Sequence, residues 1–306
     1  MGRYSYKRNK RTVIICTITA AILVFIVVAY ANLDNTPTWN EVFKTFGLTD
    51  ENDYPECIRF ADVGQGDCAV IKSGGRTALI DTGTPESAEA LCRKLRNLNI
   101  RRIDAMMLSH NHDDHIGGAR LISDRFSIEN LILPDISNTE SPTAILGEVK
   151  TETLAGEGEC YTAKSGMYYS VGNIKISVLY CYYSAADEND RSVITAADFG
   201  EYRFLFTGDA GKETEKMMLK DGIDLKSDVL KVGHHGSSGS STAEFLSAVS
   251  PEYAVISCGK DNQYSHPHDA ALQRIEKTGA RIYRTDLNGD IVFSVKNGKL
   301  AVDTEK

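Results

Sequence analysis

From Leu108 to Gly118 the chain reads Leu-Ser-His-Asn-His-Asp-Asp-His-Ile-Gly-Gly, which packs His110, His112, Asp114 and His115 into six positions. Imidazole nitrogen and carboxylate oxygen together suit zinc, manganese or iron, whereas magnesium and calcium prefer shells made wholly of oxygen. The spacing His-x-His-x-Asp-His divides into two groups of donors, so two divalent ions can sit side by side. A polar loop with histidines thrown together by chance is the plain alternative. It is weakened by the remaining histidines: all seven fall in three clusters, this one, His234-His235, and His266 with His268.

The other clusters sit in similar settings. Val229-Leu230-Lys231-Val232 is an apolar run with one lysine, and it leads into Gly233-His234-His235-Gly236-Ser237-Ser238. One of these two histidines is expected to complete the second metal site. Adjacent side chains leaving a strand point to opposite faces, so His234 is assigned as the ligand and His235 is placed nearer the substrate. Ser237 and Ser238 can offer hydroxyls and backbone N–H groups to a phosphate, or else cap the helix that follows. Leu205-Phe206-Thr207-Gly208-Asp209 is another apolar run ending in a carboxylate. His266, in Tyr264-Ser265-His266-Pro267-His268, can stabilise negative charge or protonate a leaving group, while His268 begins a helix.

The elements that must position these groups follow from apolar periodicity. Short strands are predicted over Ile58–Val63, Asp67–Lys72 and Thr77–Ile80, then a helix over Pro85–Leu98 and the strand Ile103–Leu108 that carries the histidine loop. Ile128–Leu133, Ser170–Tyr180, Ser192–Asp198 and Tyr202–Thr207 read as further strands, with a helix over Thr143–Leu154. The last third alternates helix Lys212–Lys220, strand Val229–Val232, helix Thr242–Val249, strand Tyr253–Ser257, helix Asp269–Thr278 and strand Arg281–Arg284, and closes on a hairpin at Asn297-Gly298. The pattern is α/β, and 306 residues at 42% apolar content suffice for one large core.

Charge is unevenly distributed. Residues 1–31 hold Arg3, Lys7, Arg8, Lys10 and Arg11 and no acid, leaving 29 basic against 42 acidic side chains elsewhere, a net charge of −13. Such a body argues against broad affinity for a polyanion. Val13 to Tyr30 is almost wholly apolar, and eighteen helical residues span roughly 27 Å, near the thickness of a bilayer's hydrocarbon core. The basic residues before it keep the N-terminus in the cytoplasm and place the rest outside. The expected organisation is a basic tail (1–12), a transmembrane anchor or cleavable signal peptide (13–31), a stalk (32–56) and one catalytic domain (57–306). The seven cysteines form no Cys-x-x-Cys motif.

The histidine loop, with Asp209 following about one hundred residues later, resembles the metallo-β-lactamase superfamily. The ordered series Asp62-Val63-Gly64-Gln65-Gly66-Asp67, Leu79-Ile80-Asp81-Thr82-Gly83, Thr207-Gly208-Asp209, Asp228 to Ser237 and Arg284-Thr285-Asp286 is similar to the extracytoplasmic domain of the ComEC competence-protein family. The resemblance implies an αββα sandwich, with Asp209 bridging two metals, Asp81 behind the metal loop, and Gln65 and Asp67 near the active-site mouth. His112 stands where that family often has aspartate. The dinuclear pattern also has a third histidine for the first ion, yet none occurs from Ile116 to Gly208. Site one is then left with His110, His112 and Asp209, completed by water or by Asn189 or Asp190. Weaker binding there, or a metal tolerant of oxygen such as manganese in place of zinc, is expected.

The implied activity is hydrolysis by a metal-activated hydroxide, with Asp114, His235 and His266 as the groups nearest the reaction. Phosphodiesters outside the cell, DNA among them, are the first candidate substrates. A phosphocholine or teichoic-acid ester of the cell wall is the alternative, with a lactam or thioester behind it. A binding module without catalysis is disfavoured, because so many polar groups are costly to bury together without an ion.

Overall fold

The computed structural model describes residues 54–137 and 144–306, together with Thr19 and Leu23. The predicted anchor therefore lies almost entirely outside the described residues. Among the described residues no helix is long and apolar enough to cross a membrane.

Among the described residues, fifteen strands form two sheets: β1 (Cys57–Phe60), β2 (Ala69–Ser73), β3 (Arg76–Ile80), β4 (Arg102–Met107), β5 (Ser127–Leu133), β6 (Glu159–Thr162), β7 (Tyr168–Val171), β8 (Ile174–Cys181), β9 (Val193–Phe199), β10 (Tyr202–Phe206), β11 (Val229–Lys231), β12 (Tyr253–Ile256), β13 (Arg281–Arg284), β14 (Ile291–Lys296) and β15 (Lys299–Thr304). The first sheet has the order β15-β14-β1-β2-β3-β4-β5-β6 and the second β13-β12-β11-β10-β9-β8-β7. Ile58, Phe60, Ile71, Phe204, Val229, Val255 and Phe293 are buried between them. Phe60 stacks on Phe206 at 5.6 Å and Phe204 meets Phe293 edge-on at 5.4 Å, so aromatic pairs tie the sheets across the core.

Helices close both outer faces, giving the expected αββα order. Leu205, Leu230, Ala254 and Ile256 pack against Met218, Phe245, Leu246 and Ile275 from helices Lys212–Lys220, Ala243–Val249 and Asp269–Glu276. Helices Ala88–Asn97, Ala119–Arg125 and Ala144–Ala155 bury Leu91, Leu95, Ile122, Leu146 and Val149. Strands covered on both faces need continuous apolar runs, which is why β4, β11 and β12 carry so few polar residues.

Two local expectations change. The single strand predicted over Ser170–Tyr180 is a hairpin, because Gly172 at φ 54° turns the chain between β7 and β8. Strand β6 was not predicted at all, since its residues are largely exposed and show no alternation.

β3, β4 and β5 run parallel in one sheet, and β10 to β13 run parallel in the other. The segments leaving β3, β4, β10 and β11 carry Asp81, the histidine loop, Asp209 and His234-His235, and these meet at one rim of the sandwich. Ligands of open α/β sheets gather at such carboxyl ends.

Candidate metal centre

Asp114, His115, Asp209 and His235 each bring one ligand atom into a cluster whose atoms all lie within 4.8 Å of one another. His115 Nε2 is 3.1 Å from Asp209 Oδ1, His235 Nε2 is 3.5 Å from the same oxygen, and His235 Nε2 is 3.1 Å from Asp114 Oδ2. Four N and O donors at about 2.0–2.1 Å from a tetrahedral ion stand roughly 3.3 Å apart. His115 Nε2 and Asp209 Oδ1 are buried and make no hydrogen bond, which is costly unless a cation faces both. The residues fit a divalent metal.

Imidazole tautomers are set from behind. His115 Nδ1 donates to Asp81 Oδ2 at 2.9 Å, and His235 Nδ1 donates to the Ser257 carbonyl at 2.9 Å, so both rings turn the Nε2 lone pair toward the cluster. Asp81 also accepts from the Ser109 N–H at 2.7 Å and the Ser109 hydroxyl at 2.8 Å. That hydroxyl in turn accepts from His110 Nδ1 at 3.0 Å. The relay turns the His110 Nε2 lone pair toward His112 Nδ1 at 3.1 Å, a pair of nitrogens spaced as two donors to one ion.

Asp67 is buried beneath the cluster rather than at its mouth, which corrects the sequence reading. Its carboxylate takes Lys231 Nζ at 2.7 Å and stands 3.3 Å from His235 Nδ1. Glycine at position 66 makes this possible: a Cβ there would meet the Asp114 carbonyl at 2.4 Å, the same oxygen that accepts the Asp67 N–H.

Charges in the metal-free cluster lean on one another. Burial disfavours the His235 cation, but Asp209 and Asp67 outweigh it and push its pKa up to about 10. His115 is also buried, and Asp209 and Asp81 carry it well above its ordinary value. Asp209 is held well below the carboxylate range by His235 and His115 despite burial. His266 goes the other way: burial, then His235 and His234, lower it to about 4. At neutral pH His266 is therefore a neutral ring that can donate a hydrogen bond.

The two adjacent histidines go to different surroundings. His235 joins the buried cluster, whereas the His234 side chain is 31% exposed with Nε2 3.8 Å from Asp209 Oδ2. Strand alternation fails here because both residues adopt left-handed backbone, φ 50° and 52°. Ser237 and Ser238 serve the turn, with the Ser237 hydroxyl accepting from Gly239 N–H and the Ser238 N–H donating to His268 Nδ1. Neither lines the cavity, so their reading as a phosphate cradle is not supported by position. Asp190, offered as a site-one donor, accepts the N–H groups of Gly211 and Thr214 through Oδ1 and does not line the cavity above the cluster.

Above the cluster lies an open cavity of about 1020 Å³ lined by His112, Asp114, Asp209, His234, His235 and His266, with Gln65 and Asn189 also on its wall. Its rim carries Arg191 among Glu86, Asp113 and Glu188, and the ring of Tyr264, 53% exposed, stacks 5.6 Å from His266. Lys231, Ser192 and Tyr264 were not singled out from sequence. For Lys231 the signal was a lone cation inside an apolar strand.

Residues 61–143 and 192–260 match the metallo-beta-lactamase superfamily. ComE operon protein 3 of Bacillus subtilis is 32% identical over 261 residues, covering 78% of this chain and 33% of that protein. Competence protein ComA of Neisseria gonorrhoeae is 31% identical over 240 residues, covering 78% of this chain and 32% of its own. The chain thus spans about a third of the length of these relatives. Among solved structures, the E377D mutant of the CmlA beta-hydroxylase superposes with a TM-score of 0.53 at 16% identity, over 83% of this chain and 58% of that one. The metallo-beta-lactamase fold protein YhfI from Bacillus subtilis gives 0.51 at 12% identity, over 78% and 99%. Both show the fold alone. With its fold, its donor cluster and its ordered motifs in agreement, the chain belongs to the metallo-β-lactamase superfamily, in the ComEC-like family of competence-protein relatives.

Proposed function

We propose that the chain is a metal-dependent phosphodiesterase of nuclease type, anchored in the membrane through residues 13–31 with its catalytic body outside the cytoplasm. The carrying observation is the convergence of Asp114, His115, Asp209 and His235 on two unpartnered buried atoms at the floor of a wide, open cavity. Bound divalent ions supply the Lewis acidity that lowers the pKa of a water and draws charge from a phosphoryl oxygen. The chain's own part is orientation. Asp114, 27% exposed and held by His235, faces the cavity and fixes the direction of the attacking water. His266, a neutral ring beside His234 and His235, donates a hydrogen bond to a phosphoryl oxygen. The competence-protein names of the relatives favour a nucleic acid as the phosphodiester.

A second reading has its own support. An acidic rim with an exposed tyrosine suits the quaternary ammonium of a phosphocholine ester of the cell wall. The full chain, given manganese or zinc, is expected to cleave bis-p-nitrophenyl phosphate and single-stranded oligonucleotides, with His235→Ala inactive. Release of phosphocholine from wall material without oligonucleotide cleavage would favour the second reading, and no turnover with any divalent metal would defeat both.

A further inference from the structure

The superfamily pattern supplies a third histidine to site one, and this chain has none between Ile116 and Gly208. We propose that His234 takes that place, so that consecutive histidines serve two different ions: His235 the buried one, and His234 the outer one with His110 and His112. The inference rests on the metal-dependent reading above.

Asp209 presents its two oxygens to different neighbours. Oδ1 faces His115 and His235, whereas Oδ2 faces His234 Nε2 at 3.8 Å. A carboxylate divided in this way can bridge, and each histidine of the pair stands on one side of the bridge. Donors of one ion stand roughly 3.3 Å apart, so His234 Nε2 and Asp209 Oδ2 would close on each other by about half an ångström to share one. Its backbone is already fixed to the loop that carries Asp209, since the His234 N–H donates to the Gly208 carbonyl at 3.2 Å.

The rest of site one is tied to the same loop. Ser192 Oγ lies 3.3 Å from His110 Nδ1 and accepts the Asp209 N–H at 3.1 Å, which couples His110 to the bridging aspartate. His110 Nε2 and His112 Nδ1 stand 3.1 Å apart, and His112, Asp209 and His234 line one cavity. Two successive left-handed residues are what allow neighbouring side chains to serve neighbouring sites, where an extended strand would send them to opposite faces of the sheet. Because His234 is partly exposed, the outer ion is the weaker one.

The test is manganese binding to the full chain after chelator treatment, followed by calorimetry and by the electron-spin signal of free and bound ion. The unsubstituted protein is expected to bind two ions, one tightly and one weakly. His234→Gly, which removes the ring without straining the left-handed backbone, is expected to keep the tight ion and weaken the other at least about tenfold. His234→Asp should restore part of the second binding, and His235→Ala should lose the tight ion. Circular dichroism before metal addition checks folding. Two ions with unchanged affinities in His234→Gly, loss of the tight ion in that variant, or a single ion in the unsubstituted protein would each overturn the assignment. Two-ion binding lost in His234→Gly, in a protein that cleaves no phosphodiester, would uphold this assignment and defeat the proposed function.

Discussion

A histidine ring has two nitrogens, and the partner of one decides what the other can do. His115 and His235 each donate Nδ1–H to an oxygen behind the cluster, Asp81 and the Ser257 carbonyl, and so present lone pairs forward. Beneath them Lys231 and Asp67 form a buried ion pair at 2.7 Å, with Lys231 also donating to the Val232 carbonyl. Removing one member of such a pair leaves an uncompensated buried charge. Lys231→Met should therefore destabilise the fold by about 3–5 kcal/mol. In a chain of this size that is roughly 6–20 °C in thermal midpoint. Lys231→Met with Asp67→Leu should recover most of the loss. Thermal unfolding checks this, and a single-variant effect within about 0.5 kcal/mol would contradict the role given to the pair. The first donors were legible in the sequence because His110, His112, Asp114 and His115 fall within six positions. The sequence reading missed His235 as a member of the buried cluster because the rule of alternation assumes an extended backbone, and both His234 and His235 are left-handed.

At the scale of the element, parallel strands ending at one rim do the positioning, and the loops beyond them shape the cavity. The loop after β12 carries Tyr264 and His266, stacked at 5.6 Å and 23°, and leaves the tyrosine ring open to solvent. Under the proposed nuclease function, an exposed aromatic at the mouth of the cavity would be a platform for a base next to the scissile phosphate, and such stacking contributes about 1–3 kcal/mol per base. Tyr264→Ala should raise KM for a dinucleotide by about fivefold to a hundredfold while kcat stays within about twofold. Steady-state kinetics measures this. An unchanged KM, or a fall confined to kcat, would remove Tyr264 from substrate binding. Most strands were legible from apolar runs. β6 was not, because an exposed edge strand need not alternate, and the turn at Gly172 was hidden inside an otherwise continuous β pattern.

Across the whole molecule the order of strands and helices indicated only an α/β fold; the two-sheet sandwich came from the resemblance, since periodicity does not say which strands share a sheet. Charge is the property that distinguishes this body from a protein built to grip long nucleic acid. With a net charge of −13 outside residues 1–31 and one arginine among the acids lining the cavity, a DNA strand brought there under the proposed function would find few cationic partners for its phosphates. The dependence of log affinity on log salt for single-stranded DNA should then have a slope of about −1 to −2. Fluorescence anisotropy across a salt series reads it directly. A slope steeper than about −5 would reveal a basic track that the acidic body gives no reason to expect.

Everything chemical in this account depends on an ion held by Asp114, His115, Asp209 and His235. A crystal structure with manganese, read by anomalous scattering, tests that most directly. The account predicts a strong peak about 2.0–2.2 Å from His115 Nε2, His235 Nε2 and one oxygen each of Asp114 and Asp209. No peak there at saturating metal, or a tightly bound ion held by other side chains, would contradict it.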